Sequence, residues 1–200
     1  MEAAGGHGHK LGPWTREQLA RLEYPGRDLM MPRALVLDYV GAPFGSRVAD
    51  VGAGLGWLTF PLALVVGSLG EVFALDPSPE AVEVIGERAQ RSGLAQVRPR
   101  EASAEETGLP DNFLDRIVWH TMYHDVADRA QALGEMHRIL KPQGRWIIVD
   151  WDKRPMEKGP PLSVRVTPQE VETEVEAVGF RVVRKWSAGP VTWGITLEKP

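Results

Sequence analysis

From Ser46 onward the apolar residues alternate between two rhythms, a short continuous run and a stripe recurring every three or four positions. Runs of this kind mark buried strands, and stripes mark helices packed on them. Arg47–Val51 is a first strand ending in glycines, and Leu55–Val66 reads as a buried helix. Glu71–Leu75 is a second strand. Ser78 then offers an N-cap oxygen, with Pro79 at the first helical position, where its missing N–H costs nothing. Val82, Ile85 and Ala89 form that helix's stripe and Gly93 ends it. Gln96–Glu101 is a weak third strand and Arg116–Trp119 a fourth. Leu133, Met136 and Leu140 line a helix stopped by Pro142 and Gly144, and Arg145–Val149 is a fifth strand.

The rhythm then changes. Thr167-Pro168-Gln169-Glu170 is a capping box with proline at the first helical position, followed by Val171, Val175 and Val178. Phe180–Trp186 and Val191–Leu197 are joined by Ser187-Ala188-Gly189-Pro190. A link that short permits a hairpin, so the last two strands should be antiparallel. The sum is an α/β fold: a mainly parallel sheet, helices on both faces, and a terminal hairpin. Ligands of such sheets bind at the carboxyl ends of the strands. That singles out Gly52–Gly56, Asp76, Ser103–Ala104, Trp119–Asp125 and Asp150–Pro161.

Composition narrows the chemistry. The 200 residues fit one domain, or one domain with a short appendage. The absence of cysteine excludes a disulfide scaffold, a zinc finger, a thiol nucleophile and an iron–sulfur site. A net charge of −4 lacks the basic footprint of a nucleic-acid binder, so no nucleic acid is expected as partner. No apolar stretch is long enough to span a membrane, and the start of the chain is no apolar leader, so the expected compartment is the cytoplasm. Met1–Lys10 is rich in Gly and His; His7 and His9 lack a nearby carboxylate or third histidine, and a flexible lead is the expectation rather than a metal site.

The turn Gly52-Ala53-Gly54-Leu55-Gly56 joins a strand to a helix. Glycine lets a ligand touch the backbone, and free N–H groups at the following helix start suit a polar or anionic one. An acid, Asp76, ends the next strand, 24 residues after Gly52, where a carboxylate can accept both hydroxyls of a ribose. A dinucleotide would require Gly-x-Gly-x-x-Gly, and Trp57 stands where its last glycine belongs. The spacing fits better a ligand without pyrophosphate whose amino-acid end crosses the backbone, such as S-adenosylmethionine.

These residues resemble a family. Asp50-Val51-Gly52-Ala53-Gly54-Leu55-Gly56 looks like the first motif of the class I S-adenosylmethionine-dependent methyltransferases. Thr107–Asp115 is similar to the segment before their fourth strand, and Glu135–Gly144 to the Arg-x-Leu-Lys-Pro-Gly-Gly turn before their fifth. The branch most similar is the small-molecule group of ubiquinone/menaquinone-type enzymes. The resemblance implies a three-layer, doubly wound, seven-stranded sheet of order 3-2-1-4-5-7-6 with strand 7 antiparallel. It implies a flexible N-terminus and lid helix over residues 1–34, with Trp14, Tyr24 and Met30 as lid contacts, and a methyltransferase domain over 35–200.

Carried over position by position, the resemblance implies that Gly52, Ala53 and Gly54 lie against the methionine end of S-adenosyl-L-methionine, with Asp50 ordering the loop. It implies Asp76 at the ribose, Pro77 beside the adenine, and Ser103-Ala104 at the adenine edge, where an acid is usual and Glu105 stands nearby. His120, just after the fourth strand, would meet the methionine amino group. Pro142-Gln143-Gly144 departs from the usual second glycine of its turn.

Methyl transfer from a sulfonium needs orientation more than acid–base help. A base helps when the acceptor is a hydroxyl or an acidic carbon. His120 or His124 could supply it and Tyr123 could position the acceptor; a capping or turn role is the competing reading of each. His137 reads as a packing residue, and Trp57, Trp119, Trp146, Trp186 and Trp193 as core or edge packing. Asp150 and Asp152 raise the question of a metal. The metal-dependent catechol-type enzymes also place an acid where His120 stands, so no metal is expected. The expected partner is a small-molecule methyl acceptor, and self-association into a homo-oligomer is compatible with the chain. Two other functions compete: a non-catalytic cofactor-binding or partner module of the same fold, and a nicotinamide-dependent oxidoreductase.

Overall fold

The computed structural model of the chain describes residues 14–200; His7 and His9 lie outside them. Three short helices come first: α1 (Arg16–Ala20), α2 (Arg27–Met30) and α3 (Arg33–Val40). The alternating body follows as β1 (Arg47–Val51), α4 (Thr59–Val66), β2 (Glu71–Asp76), α5 (Pro79–Arg91), β3 (Val97–Glu101), β4 (Leu114–His120), α6 (Arg129–Ile139) and β5 (Leu140–Trp151). The chain closes with α7 (Pro168–Ala177), β6 (Arg181–Gly189) and β7 (Thr192–Glu198).

The seven strands form one sheet in the order β3-β2-β1-β4-β5-β7-β6. Only β7 runs against its neighbours, pairing antiparallel with β5 and β6. This is the expected order and the expected hairpin.

Side chains of a strand alternate between faces, and here both faces are covered. Val48, Val72, Val118 and Ile147 look toward Val36, Leu62, Val66 and Ile85 on α3, α4 and α5. Ala49, Phe73, Ile117 and Trp146 look the other way, toward Leu133 and Met136 on α6 and Val171 and Val175 on α7. Each fully buried Leu, Ile or Val contributes about 1.5–3 kcal/mol relative to leaving it in water. Trp119 and Trp146 pack edge to face at 4.7 Å inside the second layer.

Several boundaries differ from expectation; β6, for one, runs on through Ser187 and Ala188 to Gly189, which leaves a shorter hairpin link than expected. The helix after β1 begins at Thr59 rather than Leu55, because Gly52, Gly54 and Gly56 all take positive φ and keep the intervening chain in turns. The helix before β5 ends at Ile139; Leu140 already pairs with Leu114, and the register slips before Arg116 meets Arg145. Gln143, at φ 63°, adopts there the left-handed conformation that a glycine would take more cheaply. Leu35, the expected start of the main domain, falls inside α3.

The parallel register sets Val51 of β1 beside Leu75 of β2 and Trp119 of β4. The glycine turn, Asp76 and His120 therefore emerge along one edge of the sheet.

Candidate active site

The turn after β1 is anchored from below. The N–H groups of Gly52 and Ala53 donate to the Leu75 carbonyl at 2.8 and 3.0 Å. Asp50, buried under the turn, accepts a 2.6 Å hydrogen bond from the Thr59 hydroxyl, which ties β1 to the first turn of α4. Burial pushes the Asp50 carboxyl up to about 6. Gly52 has φ 71°, and a Cβ there would lie 3.1 Å from Met122 Cβ and Cγ. Both the backbone angle and the space require glycine at this position.

Asp76 closes the turn from the side. Its Oδ2 accepts the Gly54 N–H at 2.8 Å and its Oδ1 the Ser78 N–H at 2.9 Å. The side chain is nearly buried, and that burial raises its pKa against the effect of the two N–H groups. Its own carbonyl accepts from the Ala102 N–H at 3.1 Å, which draws the end of β3 toward the site. Ser103 is half-buried and Ala104 buried just beyond; Pro77 is exposed. The Glu105 carboxylate accepts from the Asp128 N–H at 3.3 Å, so it faces the start of α6.

The segment before β1 lies across this edge. Leu19 and Leu22 approach within 3.9 Å of where a Cβ on Gly54 would stand. The Ser78 hydroxyl donates to the Trp14 carbonyl at 2.7 Å, and Arg88 of α5 grips Glu23 at 2.8 Å. Tyr24 meets Met30 through a 3.6 Å hydroxyl–sulfur contact and carries the Lys158 ammonium over its ring at 4.8 Å.

His120 is nearly buried, its ring 4.9 Å from Trp57, and its Nε2 has no hydrogen-bond partner among the described residues. Burial, reinforced by the Arg27 charge, holds its pKa well below the ordinary histidine range, so it is a neutral imidazole at pH 7. The chain then turns through Thr121 at φ 55°, an uncommon conformation for a β-branched residue.

His124 and Tyr123 are placed differently. His124 Nδ1 is 2.8 Å from Asp150 Oδ1, and Asp150 at the end of β5 is fully buried. Burial alone would lower the His124 pKa; the Asp150 carboxylate outweighs it and raises the pKa above the usual value. Tyr123 is wholly buried in the Trp119 layer, and its hydroxyl donates to Glu174 Oε2 on α7 at 2.7 Å. That hydroxyl joins the turn after β4 to α7, and burial drives its pKa up, so the phenol is poorly placed to position an acceptor. His137 packs on Phe180, edge to face at 5.3 Å, as a packing histidine would.

Two residues, Arg27 and Arg165, escaped the sequence reading, and a third, Asp150, is marked there in another role. Arg27 places its guanidinium 4.2 Å over Trp57. Asp150 turns out to be the partner of His124. Arg165, buried, donates to the carbonyls of Pro160, Asp152, Arg154 and Lys158 and so pins the loop after β5. Neither arginine sits in a periodic stripe or motif that would have marked it. Among the described residues no cluster of three or more His, Cys, Asp or Glu is arranged to hold a metal ion.

A doubly wound sheet with a glycine turn at its middle strand and an acid ending the next defines a class of nucleoside-cofactor α/β proteins. Comparison with known proteins places the chain more closely. Residues 49–148, half the chain, match the family model of the methyltransferase domain, and the chain belongs to that family. It is 34% identical over 132 residues to the ubiquinone/menaquinone biosynthesis C-methyltransferase UbiE of Vibrio cholerae, covering 66% of this chain and 50% of that one. The chain thus spans about half the length of the curated relatives it matches. A solved S-adenosylmethionine-dependent methyltransferase from Aquifex aeolicus superimposes with a TM-score of 0.88 at 29% identity, over 94% of this chain and all of that one. The [4+2]-cyclase SpnF shares the fold at a TM-score of 0.74 and 18% identity, over 84% of this chain and 79% of that one.

Proposed function

We infer that the chain is an S-adenosylmethionine-dependent methyltransferase acting on a small organic acceptor. The observation that carries this reading is the turn itself: Gly52 bare of a side chain, and Asp76 reaching across to Gly54 at the carboxyl ends of β1 and β2. The residues fit the cofactor. A Cβ at Gly52 would press on Met122 at 3.1 Å, so the turn must keep its backbone bare there, and His120 holds a buried Nε2 with no partner among the described residues.

Bound there, S-adenosylmethionine supplies a methyl group on an electrophilic sulfonium. The protein's part is placement. Gly52, Ala53 and Gly54 present backbone to the methionine end, and Asp76 exchanges its turn hydrogen bonds for the ribose hydroxyls. Pro77, Ser103 and Ala104 flank the adenine. The α1–α2 segment and the Arg165-pinned loop exclude water from the reacting atoms. His120, neutral and at the end of β4, accepts a proton from a hydroxyl or acidic-carbon acceptor. His124, locked on Asp150, keeps the β4 turn in place.

The relatives of UbiE type favour an aromatic, quinol-like acceptor. A labelled-methyl screen across quinols, phenols, amines and thiols tests this. Transfer to a quinol or phenol is the expected result; tight cofactor binding without transfer to any acceptor would favour the non-catalytic module.

A further inference from the structure

A second cavity lies away from the glycine turn, toward the amino end of β5. It measures about 380 Å³ and is lined by Asp38, Tyr39, Arg145, Val183, Arg184 and Thr196. Arg145 stands where β5 resumes its pairing with β4, roughly 15 Å along the strand from Asp150 at about 3.3 Å per residue. The register builds the cavity floor. Arg145 pairs with Glu198 and Ile147 with Thr196 across β5 and β7, and Arg184 pairs with Thr196 across β6 and β7. Directly paired side chains share a face, as do those two positions apart. Arg145, Thr196 and Arg184 therefore project to the side on which Ile147 packs with Val36 and Val40 of α3.

The cations there outnumber their partners. Arg184 has no carboxylate partner among the described residues; its guanidinium sits 5.3 Å over the ring of Tyr39, which stacks on Trp186 at 3.6 Å. Arg145 lies 3.8 Å from Glu198, a carboxylate that Arg181 holds at 2.6 Å. Arg116, beside Arg145 in the register, donates to the carbonyls of Val40, Gly41 and Asp115, so it adds positive charge to the same row. Thr196 is buried. Its Oγ1 accepts from the Trp186 indole N–H at 3.2 Å, and its hydroxyl proton has no acceptor among the described residues.

Two guanidinium groups and one hydroxyl proton thus converge on a hollow that holds too few acceptors for them. That donor set suits a phosphate group: each planar fork can bind two of its oxygens, and the hydroxyl adds a further donor. Phosphate alone underfills the hollow, whose volume is in the range of small-ligand sites. The other side chains indicate what the phosphate carries. Asp38 would repel a bare anion but accepts hydrogen bonds from hydroxyl groups, and Tyr39 and Val183 supply apolar wall.

We propose that this cavity binds a phosphate monoester of a small hydroxylated molecule, of the sugar-phosphate class, with the phosphate among Arg145, Arg184 and Thr196 and the hydroxyls toward Asp38. The site is separate from the cofactor site, and its occupant is neither cofactor nor methyl acceptor.

The test is calorimetric and needs no turnover. Ribose 5-phosphate, inorganic phosphate and ribose are titrated into the full chain at fixed ionic strength, with and without S-adenosylhomocysteine. Ribose 5-phosphate should bind one to one and about tenfold more tightly than inorganic phosphate, with no detectable heat from ribose. S-adenosylhomocysteine should leave that affinity unchanged. Arg145→Met and Arg184→Met should each weaken ribose 5-phosphate by about tenfold or more. Arg184 is exposed, so its replacement tests the site without removing a core side chain. Asp38→Asn should narrow the preference for ribose 5-phosphate over inorganic phosphate. Equal affinities for those two ligands in wild type, an affinity that both arginine variants retain, or displacement by S-adenosylhomocysteine would overturn the proposal. So would a wild type that binds none of the three, a result that needs no variant to fold.

Discussion

Asp76 Oδ2 and the Gly54 N–H, 22 positions apart, are joined by a 2.8 Å hydrogen bond. The acid that is to hold a ribose therefore first holds the turn that is to hold the methionine end. Removing it should damage both. Asp76→Ala is expected to weaken S-adenosylhomocysteine binding by more than tenfold in titration calorimetry, with Asp76→Asn intermediate because its amide oxygen still accepts one N–H. An affinity unchanged in Asp76→Ala would remove this residue from the site.

Asp50 makes the stability depend on pH. Its carboxyl rises from 3.8 to about 6 through burial. The folded state thus binds this proton more tightly than the unfolded chain. The contribution is complete below about pH 4 and is lost as pH rises through about 6. Asp50→Asn, which keeps an oxygen for Thr59, should be more stable than wild type at pH 8 by about 1–3 kcal/mol in urea unfolding. Its stability should also change less between pH 4 and 7. A variant no more stable at pH 8 would show that Asp50 carries no such penalty.

Tyr123 and His120 should separate cleanly. Tyr123→Phe keeps the buried ring and removes only the hydroxyl on Glu174, so it should cost about 1 kcal/mol of stability and leave methyl transfer near wild type. His120→Ala should lower the transfer rate by about a hundredfold or more if the acceptor loses a proton. A Tyr123→Phe enzyme with a comparable loss of rate would return that phenol to the reacting centre.

Arg165 is expected to control the loop after β5. Arg165→Met breaks hydrogen bonds to four carbonyls between Asp152 and Pro160. Trypsin should then cut at Lys153 or Lys158 several times faster than in wild type, before the global unfolding transition. Unchanged cleavage would mean that the loop is held by other contacts.

The sheet was legible because parallel strands buried on both faces leave near-continuous apolar runs, and Val48–Val51, Val72–Leu75 and Ile147–Val149 are such runs. The glycine turn and Asp76 were legible because a strand-to-helix ligand turn requires specific residues close together in sequence. What escaped depends on distance or on competition. His124 and Asp150 are 26 positions apart, and only the β4–β5 register unites them. Tyr123 looked like a site residue because it sits between two histidines; the one-sided turn after β4 sends its ring into the core. Arg27 lies in a segment whose helices are too short for a periodic stripe to form. Leu140 was read into the helix because its spacing from Met136 is helical, yet pairing with Leu114 wins it for the strand.

A crystal structure with S-adenosylhomocysteine tests the central claim most directly. The ribose hydroxyls should lie on the Asp76 carboxylate and the homocysteine chain over Gly52–Gly54. A ligand bound elsewhere, with the turn still closed on Asp76 and Met122, would contradict it.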